Sequence, residues 1–237
     1  MTNRRPRCVP HPSRSPVARA VIVGAALAVA AASSGCSVLE SFKAKPDPTR
    51  FFVLAASADT SKVGTFDPSK SVGLGPIEIP NYLQRPEVIV RESATEIRPS
   101  AFDRWSEPLD KGIARVLAQN LSSALGLDRV TLFPWYSNQE PSYQVRIDFI
   151  SFEPAANREA RVVARWDARR LGGASSARVQ RESVITEPIS SDDGAAAVAA
   201  LSKALDELAR DMARAVLSLD AAAPAAGGSP SGTAPRR

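Results

Sequence analysis

Cys36 carries the strongest chemical signal in the sequence. It follows Ser33-Ser34-Gly35, and small side chains just ahead of a cysteine are what a lipoprotein-processing peptidase can admit. A thioether formed at that sulfur, with cleavage before Cys36, would leave an acylated N-terminus. The usual pattern has a large aliphatic residue three places before the cysteine, where this chain has Ser33. Cys36 is the only cysteine beyond the leader, so it has no intrachain disulfide partner, and an exported unpaired thiol calls for an explanation. Lipidation supplies one; a plain cleaved signal is the alternative.

Other chemistry is sparse. The single histidine, His11, lies in the leader, so the mature chain has neither a histidine general base nor a histidine metal ligand. With Cys36 acylated there is no thiol nucleophile or thiolate ligand. There is no Gly-x-Ser-x-Gly elbow and no Walker loop, and Gly73-Leu74-Gly75 lacks the third glycine of a dinucleotide fingerprint. Asp192 and Asp193 could suggest a cation site, but carboxylates at the positive end of a helix fit them better. A carboxylate pair for glycoside cleavage stays open, because any two acids can meet in a fold, yet nothing singles one out. The residues therefore favour binding or scaffolding, with no enzyme activity, no cofactor and no metal.

The segment ahead of Cys36 explains how the chain would reach a membrane. Residues 1–35 contain Arg4, Arg5, Arg7, Arg14 and Arg19, no acid, and an uncharged apolar run from Val21 to Ala32, the layout of a secretory signal. Twelve residues at about 1.5 Å each reach roughly 18 Å, short of the ~30 Å hydrocarbon core, so a permanent spanning helix is the weaker reading. The net charge of +5 comes from this leader: without its five arginines, 25 basic residues face 25 acidic ones. A near-neutral mature chain gives no long-range attraction to nucleic acid. Ser37, where aspartate would favour inner-membrane retention, points to outer-membrane delivery.

The mature chain divides into a tether, a domain and a tail. Residues 36–48 include Lys43, Lys45, Pro46 and Pro48 without sustained pattern and suit a flexible tether. Residues 221–237 are mostly alanine, proline, glycine and serine with no bulky apolar side chain, a composition expected to be disordered. Residues 49–220 form the expected domain. Leu109, Ile113, Val116, Leu117, Leu121 and Leu125 trace one stripe of a helix, with Ser106 as N-cap and Gly126 as left-handed stop. Val198, Leu201, Leu205, Leu208, Met212, Ala215 and Leu219 trace a second. That stripe either lies across the sheet or forms a seam with another chain, which leaves a homo-oligomer open.

Strands fill the rest. Thr49 to Ala56 reads as a buried strand, Ser71 to Ile79 as a second, and Glu87 to Arg91 with Thr95 to Arg98 as a short pair. Tyr143 to Phe149 and Arg161 to Asp167 alternate apolar and polar residues, and Ala177 to Glu187 follows a Gly172-Gly173 turn, giving antiparallel neighbours. The predicted fold is α+β: a two-layer α/β sandwich, antiparallel or mixed sheet, with two amphipathic helices on one face.

Two clusters stand out. In Ile79-Pro80-Asn81-Tyr82-Leu83-Gln84-Arg85-Pro86 a tyrosine, a leucine and an arginine sit between prolines, where local order is cheap and a strand ladder does not hide them. Such residues make an interaction surface; alternatively the loop folds over the core edge with Tyr82 packed and Arg85 paired to an acid. In Phe102-Asp103-Arg104-Trp105-Ser106-Glu107-Pro108-Leu109, Trp105 can staple the following helix to the sheet.

At these clusters the sequence resembles the ABC-type transport auxiliary lipoproteins of the PqiC (YmbA) type. The matching pieces are Gly73 to Pro80, Tyr82-Leu83-Gln84-Arg85-Pro86 with Val88 to Arg91, and Arg104-Trp105-Ser106-Glu107-Pro108-Leu109-Asp110, followed by Val145 to Phe152 and Ala164-Arg165-Trp166. The similarity covers about Arg50 to Leu219. Gln84 stands where the family often has aspartate, and Ser106 where alanine is common.

The resemblance implies an outer-membrane lipoprotein without catalysis, working with an MCE-domain envelope protein and inner-membrane transporter components to move lipid across the envelope. It also implies ring-like assembly. The expectation is a docking subunit: Cys36 holds the outer membrane, and Tyr82, Leu83, Arg85, Pro86, Arg104 and Trp105 contact a partner. The alternative is a lipid- or small-ligand binder that holds an acyl chain between helices and sheet.

Overall fold

The computed structural model describes residues 47–59, 61–136, 140–172 and 177–222. Cys36, the leader, nearly all of the tether and residues 223–237 of the tail lie outside the described residues. The order is β1 (Arg50–Phe52), β2 (Val72–Glu78), a 3-10 turn (Asn81–Leu83), β3 (Glu87–Arg91), β4 (Ile97–Trp105) and α1 (Leu109–Leu125). Then come β5 (Thr131–Leu132), β6 (Tyr143–Ala155), β7 (Glu159–Arg170), β8 (Arg178–Pro188) and α2 (Gly194–Ala221). It is an α+β fold: one mixed eight-stranded sheet with both helices on one face.

Sheet pairing creates a fork. Strands β6, β7 and β8 are antiparallel, and β7 accompanies β6 along its whole length. Both β2 and β3 therefore share the other edge of β6, β2 between Tyr143 and Asp148 and β3 at Ala155, both in parallel. Outward from β2, among the described residues, lies only β5, paired at Gly73 and Leu74. Outward from β3 lies antiparallel β4, and then β1, parallel to β4.

Both helix stripes face the sheet. The six apolar positions of α1 and the seven of α2 are all buried, many of them fully. The α2 stripe thus packs against β6, β7, β8 and α1 of its own chain, as expected for a helix lying across the sheet, and lends no support to an intermolecular seam. Gly126 stops α1 at φ 69°, a left-handed conformation that glycine adopts without Cβ strain. Asp193 caps α2 by accepting from Ala195 N, while Asp192 pairs with Arg158 at 3.2 Å. Neither described helix is long and apolar enough to cross a membrane.

Three local expectations are corrected. The strand predicted over Thr49 to Ala56 shrinks to three residues on a sheet edge, with Phe51 66 % exposed, because β4 offers it only Asp103 to Trp105 as partners. The strand expected to end at Arg98 continues to Trp105 through Pro99. It can do so because β1 does not reach that stretch, and an edge tolerates a missing N–H. Pro108, not Ser106, occupies the N-cap of α1, without a side-chain cap, because the chain is still strand at Trp105 and needs Ser106 and Glu107 to turn.

Candidate functional site

A groove of about 830 Å³ opens at the fork of the sheet. Its walls are the end of β2 (Ile77, Glu78) with Ile79 just after it, the turn segment (Asn81, Gln84, Arg85, Pro86), and the β4 to α1 corner from Trp105 to Asp110. The two clusters that stand out in the sequence thus face each other across one depression. The apolar part comes from Ile77, Ile79, Pro86, Trp105 and Leu109, and the polar rim from Glu78, Glu107, Asp110 and Arg85.

Backbone bonds weld these walls. Trp105 N donates to Pro86 O at 2.7 Å and Ser106 N to Phe52 O at 2.9 Å. The groove-lining charges are partly spoken for: Arg85 pairs with Glu87 at 3.0 Å and Arg115 with Glu107 at 2.6 Å. The hydrogen bond from Arg85 holds the Glu87 carboxyl below the usual carboxylate range.

A buried cluster supports the turn from behind. Glu153, on β6 and 1 % exposed, accepts from Arg91 Nε at 2.5 Å, from the Tyr82 hydroxyl at 3.0 Å and from Phe152 N at 2.7 Å. Arg91 also donates to the Tyr82 hydroxyl at 3.1 Å and lies over its ring. Burial first, then the neighbouring Glu153 charge, pushes the Tyr82 phenol up to about 12.

The six expected contact residues separate into two sets. Arg85, Pro86 and Trp105 line the groove. Tyr82 turns behind it, Leu83 is buried at 2 % exposure, and Arg104 folds back to donate to Ser100 O and Ala101 O. Sequence reasoning missed Glu153 and Arg91 as the partners of Tyr82. The available signal was a carboxylate, Glu153, directly after a run of core strand residues. Among the described residues no group of three or more His, Cys, Asp or Glu could hold a metal ion.

Fold and groove define an α+β module with a groove where β2, the 3-10 turn and the β4 to α1 corner meet. Residues 52–213 match the family described as the ABC-type transport auxiliary lipoprotein component. The chain belongs to that family of transport auxiliary lipoproteins, which is not a known enzyme family. No curated protein matches it. Among solved structures it is similar to a protein from Xanthomonas campestris, at TM-score 0.59 and 14% identity, covering 73% of this chain and 98% of that one. A structure titled only as an uncharacterized protein aligns at TM-score 0.57 and 17% identity, covering 71% and 98%. These likenesses show the fold alone.

Proposed function

We propose that the protein is a non-catalytic docking subunit of an MCE-type trans-envelope lipid transport system, anchored in the outer membrane and facing the periplasm. In this reading residues 1–35 are the signal peptide, Cys36 carries the lipid, residues 36–48 are the tether, residues 49–220 dock the partner, and residues 221–237 are a tail. The partners are an MCE-domain envelope protein and, through it, inner-membrane transporter components. The supporting observation is convergence: the two segments that carry the family resemblance line one groove, an arrangement suited to holding a partner segment against Arg85, Pro86 and Trp105.

Cell fractionation with mass analysis tests the anchoring. The native protein sediments with outer membrane and carries acyl chains on Cys36, whereas Cys36→Ala carries none and is lost from the outer-membrane fraction. An unmodified Cys36 sulfur in protein from the native host overturns it. A second reading, a lipid- or small-ligand binder, draws on the groove volume of about 830 Å³, which lies within the range of small-molecule pockets. It predicts lipid copurifying with the domain.

A further inference from the structure

Three strands end the sheet, and they differ in length. β1 has three residues and β5 two, and very short edges offer little backbone to another chain. β8 has eleven residues and pairs only with β7 among the described residues. Its register with β7 runs unbroken from Arg178 to Pro188, so no bulge turns its free side away.

The bonds to β7 show which amides of β8 are free. Opposed residues of an antiparallel pair alternate between exchanging both backbone bonds and exchanging none. Arg170 N donates to Ala177 O at 3.1 Å and Ile189 N to Arg158 O at 2.8 Å, and both pairs continue the β7 to β8 register. The odd-numbered residues of β8 therefore bond to β7. The amides of Arg178, Gln180, Glu182, Val184 and Thr186 point away from the sheet, and all five side chains are exposed, Val184 at 55 %.

Within the described chain only β8 itself is a free edge long enough to satisfy such a row, which makes a second copy the fitting occupant. In a symmetric antiparallel pair, free amides must face free amides, so the register moves in steps and the twofold axis falls on a residue. Only axes at Glu182, Ser183 or Val184 overlap most of the strand. An axis at Glu182 sets two carboxylates against each other, which destabilises a sheet, and one at Ser183 opposes no charges. An axis at Val184 sets Arg181 opposite Glu187 of the second copy, twice. Arg181 makes no ion pair among the described residues. Glu187 holds Lys203 with Oε2 alone, at 2.7 Å, which leaves Oε1 for a second cation.

We propose that two copies of the chain pair antiparallel through β8 with Val184 on the twofold axis, joining their sheets into one. Such an interface is isologous and closed. The groove lies across β6 from β8, so pairing leaves it open and does not depend on the docking reading.

The test uses the mature full-length protein purified in detergent. Sedimentation is expected to give the mass of two chains. Val184→Cys is expected to form an intermolecular disulfide at that position, mapped by peptide mass, because opposed residues of a hydrogen-bonded pair stand about 5.5 Å apart. Glu182→Cys is expected to form none, since it would sit roughly 14 Å from its own copy. Glu182→Pro removes an outward amide that β7 does not use, and edges tolerate such a proline; Val184→Lys places like charges on the axis with the backbone intact. Each is expected to raise the dissociation constant of the dimer tenfold or more while circular dichroism stays as in the parent. A monomeric parent, an assembly indifferent to both variants, or a disulfide formed as readily from position 182 as from 184 overturns the proposal.

Discussion

The Tyr82 hydroxyl donates to Glu153 Oε2 at 3.0 Å across 71 residues of sequence, joining the turn that walls the groove to the central strand of the sheet. Arg91, on the strand between them, closes the triangle by donating to both. A carboxylate at 1 % exposure is tolerable only when its oxygens are occupied, so the cluster constrains where the turn can sit. Tyr82 does not line the groove, while Asn81, Gln84, Arg85 and Pro86 do, so the cluster holds the groove wall from behind.

Arg91→Ala leaves the Glu153 charge buried without its cation. The expected loss of unfolding free energy is about 3 kcal/mol, the lower end for a broken buried pair since Arg91 is partly exposed. Tyr82→Phe removes the hydroxyl that donates to Glu153 and accepts from Arg91, and costs about 1.5–3 kcal/mol. Urea denaturation monitored by circular dichroism measures both, and an Arg91→Ala midpoint equal to the parent's would refute the clamp.

The same phenol gives a pH signature. Its pKa rises from the ordinary 10 to about 12 in the folded chain, so folding favours the neutral form. A group with a raised folded pKa contributes stability that is fully present below its unfolded value and lost as pH rises through the folded one. The stability gap between parent and Tyr82→Phe is therefore expected to hold steady from pH 7 to 9 and to narrow between about pH 10 and 12. Denaturation midpoints of the two proteins across that range check it, and a gap that widens contradicts it.

Repetition made parts of this fold legible. The stripes of α1 and α2 appear in sequence because every third or fourth residue must be apolar where a helix meets a sheet, and Tyr143 to Phe149 shows the alternation of a strand with one wet face. The alternation fails just beyond, where a bulge between Phe149 and Ser151 shifts the register. Phe152 and Glu153 were hidden by that shift. Short edges were also opaque: two-residue β5 has no period to read, and the apolar run at Phe51 looks the same whether buried or exposed. The groove was half visible, since its two walls were conspicuous segments, but their meeting depends on the fork in the sheet, a long-range pairing that spacing does not encode.

Leu205 tests the placement of α2. It is fully buried, on the stripe that faces sheet and α1, so Leu205→Ala is expected to lower unfolding free energy by about 2–5 kcal/mol through lost transfer energy and the cavity left behind. Glu207 on the same helix is exposed. Glu207→Ala is expected to change stability by no more than about 0.5 kcal/mol. Thermal denaturation of the two variants separates a packed face from a solvated one, and equal losses would contradict this orientation of the helix.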